Sequence, residues 1–243
     1  MQLITFQGLR GGTGTSSIVA MTADALHRQD QHVLMVDTNP DDTLRLFFNI
    51  PHTDPCGWAA ALGRQIPWHE QAYRIDTGLE LLPYGRFGLE HSLQYIARGL
   101  QDPAAFWLKT LEQLEDACTW LLMDLPARST RYAALQARAQ ADIRVASVDA
   151  GCHVLLAQTD LPPESRLLAS LFDPSRPLCN DILLEWRHHY PERLIPAPMH
   201  RDEAVHEALA SKTTVQMLHP HSVGSSDAAS LATWLMAQAG LHR

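Results

Sequence analysis

The rhythm of hydrophobic and polar positions changes three times within the first forty residues. Leu3, Ile4 and Phe6 make residues 2–7 a short apolar strand, and Gly8-Leu9-Arg10-Gly11-Gly12-Thr13-Gly14-Thr15 follows as a loop. Ile18, Met21, Ala25 and Leu26 then recur at spacings of three, four and one, which predicts a helix carrying them on one face. Residues 32–36 are a continuous apolar run that ends in Asp37. Strand, glycine loop, helix and buried strand make a βαβ start, and continuous apolar strands suit a parallel sheet covered on both faces. Apolar runs at 79–82, 120–125, 143–148, 166–172 and 194–199 predict further strands. Helical intervals such as 104–117 and 130–141 lie between most of them, and 227–241 predicts a terminal helix. No repeat, low-complexity tract or linker divides the chain. The expected fold class is therefore α/β: a single doubly wound, mostly parallel sheet with helices on both faces, over residues 1–243.

Composition narrows the function classes. A chain of 243 residues with 46% hydrophobic positions can fill a sizeable core. The net charge of -8 argues against a broad nucleic-acid surface, so no nucleic-acid partner is expected. Cys56, Cys118, Cys152 and Cys179 are scattered without close pairs, against a disulfide scaffold. No apolar run reaches the roughly 18–20 residues that span a bilayer, and the opening residues 1–6 carry no basic segment. A cytoplasmic chain without a signal peptide is expected. Of the 19 basic residues only Lys109 and Lys212 are lysines, so neither lies in the glycine loop.

A glycine-rich turn between strand and helix surrounds an anion with backbone N–H groups and the positive helix end. Two nucleotide-binding classes use it. Gly8-x-x-x-Gly12-x-Gly14, with Asp37 ending the second strand, has the spacing of short-chain dehydrogenases. Their Tyr-x-x-x-Lys pair is missing at Tyr73, Tyr84, Tyr95, Tyr132 and Tyr190, which makes this the weaker alternative. The other class is a P-loop: Gly14-Thr15-Ser16 keeps the glycine and the metal-ligating hydroxyl but replaces the lysine. The 120–125 strand delivers Asp124 at its carboxyl end, where an acid supports the metal shell. Alone, such an Asp reads as a turn or helix cap; with Asp37 and the loop, a magnesium shell of Ser16, Asp37 and Asp124 is the better reading.

Arg10-Gly11-Gly12-Thr13-Gly14-Thr15-Ser16, Val33-Leu34-Met35-Val36-Asp37 and Met123-Asp124-Leu125-Pro126 together resemble the ParA/MinD group of deviant-Walker ATPases. Within that group the chain resembles the BcsQ-type accessory proteins of bacterial cellulose secretion, whose loop also lacks both lysines. Val36-Asp37-Thr38-Asn39-Pro40-Asp41, Leu44-Arg45-Leu46, Gly57-Trp58-Ala59, Leu81-Leu82-Pro83-Tyr84-Gly85, Val148-Asp149-Ala150 with Cys152-His153, and His200-Arg201-Asp202-Glu203-Ala204 extend the match over nearly the whole chain.

The resemblance implies a SIMIBI-class P-loop fold, ATP and Mg²⁺ as cofactors, and a homodimer formed face to face around ATP. It implies phosphate contacts from Arg10, Gly11, Gly12, Thr13, Gly14, Thr15, Ser16 and Ser17. It places the adenine near Ser170, Met199 and Arg201, with Ser170 standing where relatives carry an asparagine. It further implies a BcsR-like small subunit, a BcsE-like regulator and the cellulose synthase inner-membrane complex as partners, with recruitment to the membrane through them. Three departures bear on chemistry: Thr15 for the loop lysine, Arg10 for the signature lysine, and Asn39 for a water-orienting acid. No residue is assigned as catalytic. The expected function is a nucleotide-dependent dimerisation switch with weak or absent hydrolysis, the alternative an active ATPase cycling on a membrane or nucleoid surface.

Other features have plainer readings. His188-His189 and His219-Pro220-His221 lack a third ligand at metal spacing, so they read as solvated or capping and no metal besides magnesium is expected. The terminal helix, with Leu231, Ala232, Trp234, Leu235 and Ala239, has no basic face before His242-Arg243 and is expected to pack on the domain. No Gly-x-Ser-x-Gly elbow is present.

Overall fold

The computed structural model describes residues 1–86 and 102–241; residues 87–101, which include Tyr95, and His242-Arg243 lie outside the described residues. The strands are β1 (Gln2–Gly8), β2 (Val33–Asp37), β3 (Tyr73–Asp76), β4 (Leu79–Leu82), β5 (Trp120–Leu125), β6 (Ala141–Ser147) and β7 (Ser165–Ser170). They join one sheet in the order β3-β4-β2-β5-β1-β6-β7, parallel throughout except where β3 runs antiparallel to β4. Helix α1 (Thr15–His27) carries the chain from β1 to β2 past one strand position, and β5 fills that gap. The consequence is a register in which Asp37 stands directly beside Asp124.

Alternation along the strands separates the two faces. Ile4, Phe6, Ile143 and Val145 join α1 in one apolar cluster, whereas Leu3, Leu121 and Met123 point the other way, towards α2 (Trp58–Arg64) and α3 (Pro103–Leu114). Helix α1 is buried on all sides over its central turns rather than along one face. All nine residues from Ile18 to Leu26 are buried, because the terminal helix α9 (Val223–Leu241) covers the side away from the sheet with Ala228, Leu231, Ala232 and Leu235. On the opposite sheet face a polar seam lies between two apolar clusters. There Asp142 accepts hydrogen bonds from Thr5, Gln136, Arg144 and Ser165, which satisfies its carboxylate without water.

Several predicted boundaries move for identifiable reasons. The 194–199 run forms no strand: Leu194 and His200 make isolated bridges to Leu167 and Phe172, and Pro196 and Pro198 cannot donate to a ladder. The 130–141 interval holds only a 3-10 turn (Thr130–Tyr132) and α4 (Ala133–Gln136), since Ala141 is already paired beside Ile4. The 104–117 helix is Pro103–Leu114, started by the Asp102 side chain accepting from the Ala105 N–H. The 166–172 strand ends at Ser170, where Leu171 takes a left-handed φ of 51°. The apolar pattern gives no sign of edge strand β3, whose residues alternate between half-buried and exposed. Among the described residues no helix is long and apolar enough to cross a membrane.

Candidate functional site

The loop after β1 is shaped by glycines with different duties. A Cβ on Gly8 would sit 2.6 Å from Thr13 Oγ1 and 2.7 Å from the Arg10 carbonyl, so any side chain there would lift the loop off its strand. Gly14 caps α1 in a left-handed conformation, φ 81°, that favours glycine. A Cβ on Gly11 or Gly14 would meet no atom within 4 Å. That side of the loop faces a cleft of about 350 Å³ lined by residues 10–17, Asn39, Asp41 and Asp124, with Leu46, Phe47 and Leu209 as an apolar wall.

Two buried carboxylates lie side by side at the foot of the cleft: Asp124 lines it, while Asp37, its register neighbour, is fully buried and does not line it. Ser16 Oγ, in the first turn of α1, donates to Asp124 Oδ2 at 2.5 Å. Asp37 accepts the N–H of Asn39 at 2.9 Å and of Leu44 at 3.1 Å. Burial pushes the Asp124 carboxyl up to about 7, against the opposing effect of the Ser16 hydrogen bond. Burial, then the neighbouring Asp124 and Asp42 carboxylates, raises Asp37. Such a pair is stabilised by a cation. Among the described residues no three His, Cys, Asp or Glu side chains are grouped to hold a metal unaided. That donor set fits Mg²⁺, which keeps water and phosphate oxygens in its shell and takes only one or two protein groups.

The two lysine replacements behave differently. Thr15 Oγ1 lies 3.0 Å from Thr13 Oγ1, a neutral contact inside the loop. Arg10 Nη2 donates to Asp149 Oδ2 at 2.5 Å and to Ser147 Oγ at 3.0 Å. Asp149 also caps α5 (Ala150–Ala157) by accepting the Cys152 N–H at 2.9 Å. Although burial opposes it, hydrogen bonds from Cys152, Ser147 and Arg10 hold the Asp149 carboxyl below the usual range. In the sequence Asp149 stands only within the Val148-Asp149-Ala150 string that carries the resemblance, and nothing local pairs it with Arg10.

The remaining expected residues lie apart from the cleft. Ser170 Oγ is buried and donates to the Thr13 carbonyl at 2.9 Å, bracing the loop from beneath. Met199 is buried in the core, and its N–H bonds to the Ala169 carbonyl at 2.8 Å. Arg201 is exposed, its N–H bonded to the Phe172 carbonyl at 2.8 Å. None of the three lines the cleft around residues 10–17. The 200–204 string is structural at both ends: His200 bonds Asp227 through its N–H and ring, while Asp202 caps α7 (Glu203–Ala210) and accepts from Gly224 N–H. Leu209 on α7 is a cleft residue that nothing in the local sequence marked. His188 and His189 are exposed at the end of α6 (Pro177–His189), and His219 contacts Glu207 at 2.8 Å.

The model of the family described as cellulose biosynthesis protein BcsQ matches residues 1–236. This chain belongs to the BcsQ family. The BcsQ of Escherichia coli K12 is 32% identical over 246 residues, covering 97% of this chain and 94% of that protein. Among solved structures, MinD from Pyrococcus horikoshii complexed with Mg-ADP aligns with a TM-score of 0.76 at 17% identity, covering 100% of this chain and 98% of the other. A ParA family ATPase from Chlorobium tepidum aligns at 0.72 and 19% identity, covering 96% and 97%. The fold is that of the ParA/MinD P-loop NTPases, and the family sets aside the dehydrogenase alternative.

Proposed function

We propose that this chain binds ATP with Mg²⁺ and acts as a nucleotide-dependent dimerisation switch that helps assemble, position or activate the cellulose synthase secretion complex. The observation that carries the reading is the Ser16–Asp124 hydrogen bond, in register with Asp37, at the foot of a loop without lysine. The loop amides of residues 11–17 would hold phosphates, Ser16 would ligate the metal, and Asp37 and Asp124 would bond its water shell. When bound, Mg²⁺ supplies positive charge at the β- and γ-phosphates. Met199 backbone and Arg201, with Ser170 behind them, remain the proposed adenine side.

Binding and turnover separate physically. The backbone cradle and metal groups are intact, whereas fixed charge at Thr15 and a proton acceptor at Asn39 are missing. Phosphoryl transfer owes much of its rate to fixed charges around the moving group, so slow hydrolysis is expected. That favours a switch over the ParA/MinD-type cycling ATPase. Arg10 keeps a charge and a planar fork suited to a phosphate of a second copy. A BcsR-like small subunit and a BcsE-like regulator are the proposed partners, with recruitment to the inner membrane through them. The burial of α9 against α1 supports that route over direct anchoring.

Sedimentation of the single 1–243 chain with Mg-ATP, Mg-ADP and no nucleotide tests the reading. A dimer specific to Mg-ATP is expected. Arg10→Ala should return it towards monomer, since removing one partner of a buried charge pair costs about 2–5 kcal/mol. A wild type that stays monomeric in saturating Mg-ATP overturns the switch.

A further inference from the structure

Arg10 is the only charged residue between Gly8 and Ser17, and its guanidinium is already engaged within its own chain. Nη2 reaches Asp149 Oδ2 at 2.5 Å and Ser147 Oγ at 3.0 Å, while Nη1 donates to the Gly11 carbonyl at 2.9 Å. The acceptor is held independently of Arg10. Asp149 Oδ1 accepts the Cys152 N–H at 2.9 Å, and Oδ2 accepts from Ser147 Oγ at 2.7 Å. Gly151 leaves room for the pair: a Cβ there would lie 3.2 Å from Asp149 Oδ1 and 3.9 Å from Arg10 Nε. The contact is also solvent-accessible, with side-chain exposures of 38% for Arg10 and 40% for Asp149.

We infer that Asp149, with Ser147, is an intramolecular latch on Arg10, which must give up this carboxylate before it can engage a phosphate held by a second copy. The inference rests on the reading that two copies pair around nucleotide. A half-exposed ion pair is worth little in water, so the latch opens readily. Phosphate offers the guanidinium a more highly charged, bidentate partner, so the exchange runs towards pairing once nucleotide is present. The latch thus sets the protein concentration at which pairing begins. It also gives Asp149 a role beyond capping α5.

Asp149→Asn separates the two roles. Asparagine caps a helix about as well as aspartate, so α5 is kept while the charge is lost. Sedimentation in saturating Mg-ATP over a protein concentration series would compare wild type, Asp149→Asn, Arg10→Ala and the double variant, with melting curves to confirm folding. Exposed pairs contribute up to about fivefold each and two latches open per dimer, so Asp149→Asn should tighten the dimer by about two- to thirtyfold. Ser147→Ala, which removes one acceptor, should tighten it less. The double variant should match Arg10→Ala alone. A second readout is the Arg10 Nε–Hε NMR resonance, which should move in Asp149→Asn without nucleotide and in wild type on adding Mg-ATP. Equal or weaker dimerisation of Asp149→Asn, or a gain that persists without Arg10, overturns the latch while the pairing reading stands. If wild type and Asp149→Asn both stay monomeric in Mg-ATP, pairing and latch fall together.

Discussion

Ser16 Oγ donates to Asp124 Oδ2 at 2.5 Å, which ties the first turn of α1 to the end of β5 across 108 positions of sequence. The hydroxyl anchors the start of α1 to one member of the buried acid pair. Ser16→Ala removes a hydrogen bond to a charged group, worth about 1.5–3 kcal/mol. Affinity for Mg-ATP should fall by about tenfold or more in calorimetry, with circular dichroism unchanged. Unaltered affinity would remove Ser16 from the metal shell.

The acid pair also sets a pH dependence. Asp124 titrates at about 7 in the folded chain, and Asp37 is raised as well, chiefly by burial. Both bind protons more tightly folded than unfolded. Their contribution to stability is full below the ordinary carboxylate range and is lost as pH rises towards about 7. The nucleotide-free protein should therefore melt several degrees higher at pH 5.5 than at pH 8. Mg-ATP, which needs the ionised pair, should raise the melting temperature more at pH 8. Asp124→Asn should flatten the profile; an unchanged slope would place the titration elsewhere.

Wild-type phosphate release should lie far below the ~1–100 s⁻¹ of kinases. Thr15→Lys with Asn39→Asp restores one cation and one proton acceptor to the cleft that both residues line. The double variant should release phosphate faster by an order of magnitude or more. Wild-type turnover already equal to that of the double variant would favour a cycling ATPase.

Asp42 and Arg45 form a fully buried ion pair at 3.1 Å. Asp42 also accepts the N–H groups of Tyr84 and Gly85, while Arg45 donates to the carbonyls of Pro51, Asp54 and Cys56. Asp42→Ala would leave the buried Arg45 charge without a counter-ion and two amides without an acceptor. It should cost about 3–5 kcal/mol in urea unfolding. A loss below about 1 kcal/mol would mean that water reaches the site.

The sequence by itself determined the parts built from neighbours along the chain. The glycine loop, the strand before it, the helix after it and the acids closing β2 and β5 were legible because periodicity, glycine spacing and strand-end position are local properties. Tertiary structure decided which distant groups meet. Inserting β5 between β1 and β2 places Asp124 beside Asp37. Packing of α9 turns α1 from a half-buried helix into a buried one, and α7 brings Leu209 to the cleft. The 194–199 run reads as a strand because its apolar character is local, yet its missing donors matter only against β7. Ser170 and Asp149 show the same limit: one hydroxyl is committed to the Thr13 carbonyl and one carboxylate to Arg10. A side chain's partner is chosen by whichever donor or acceptor folding brings within about 3 Å, and linear spacing does not encode that distance.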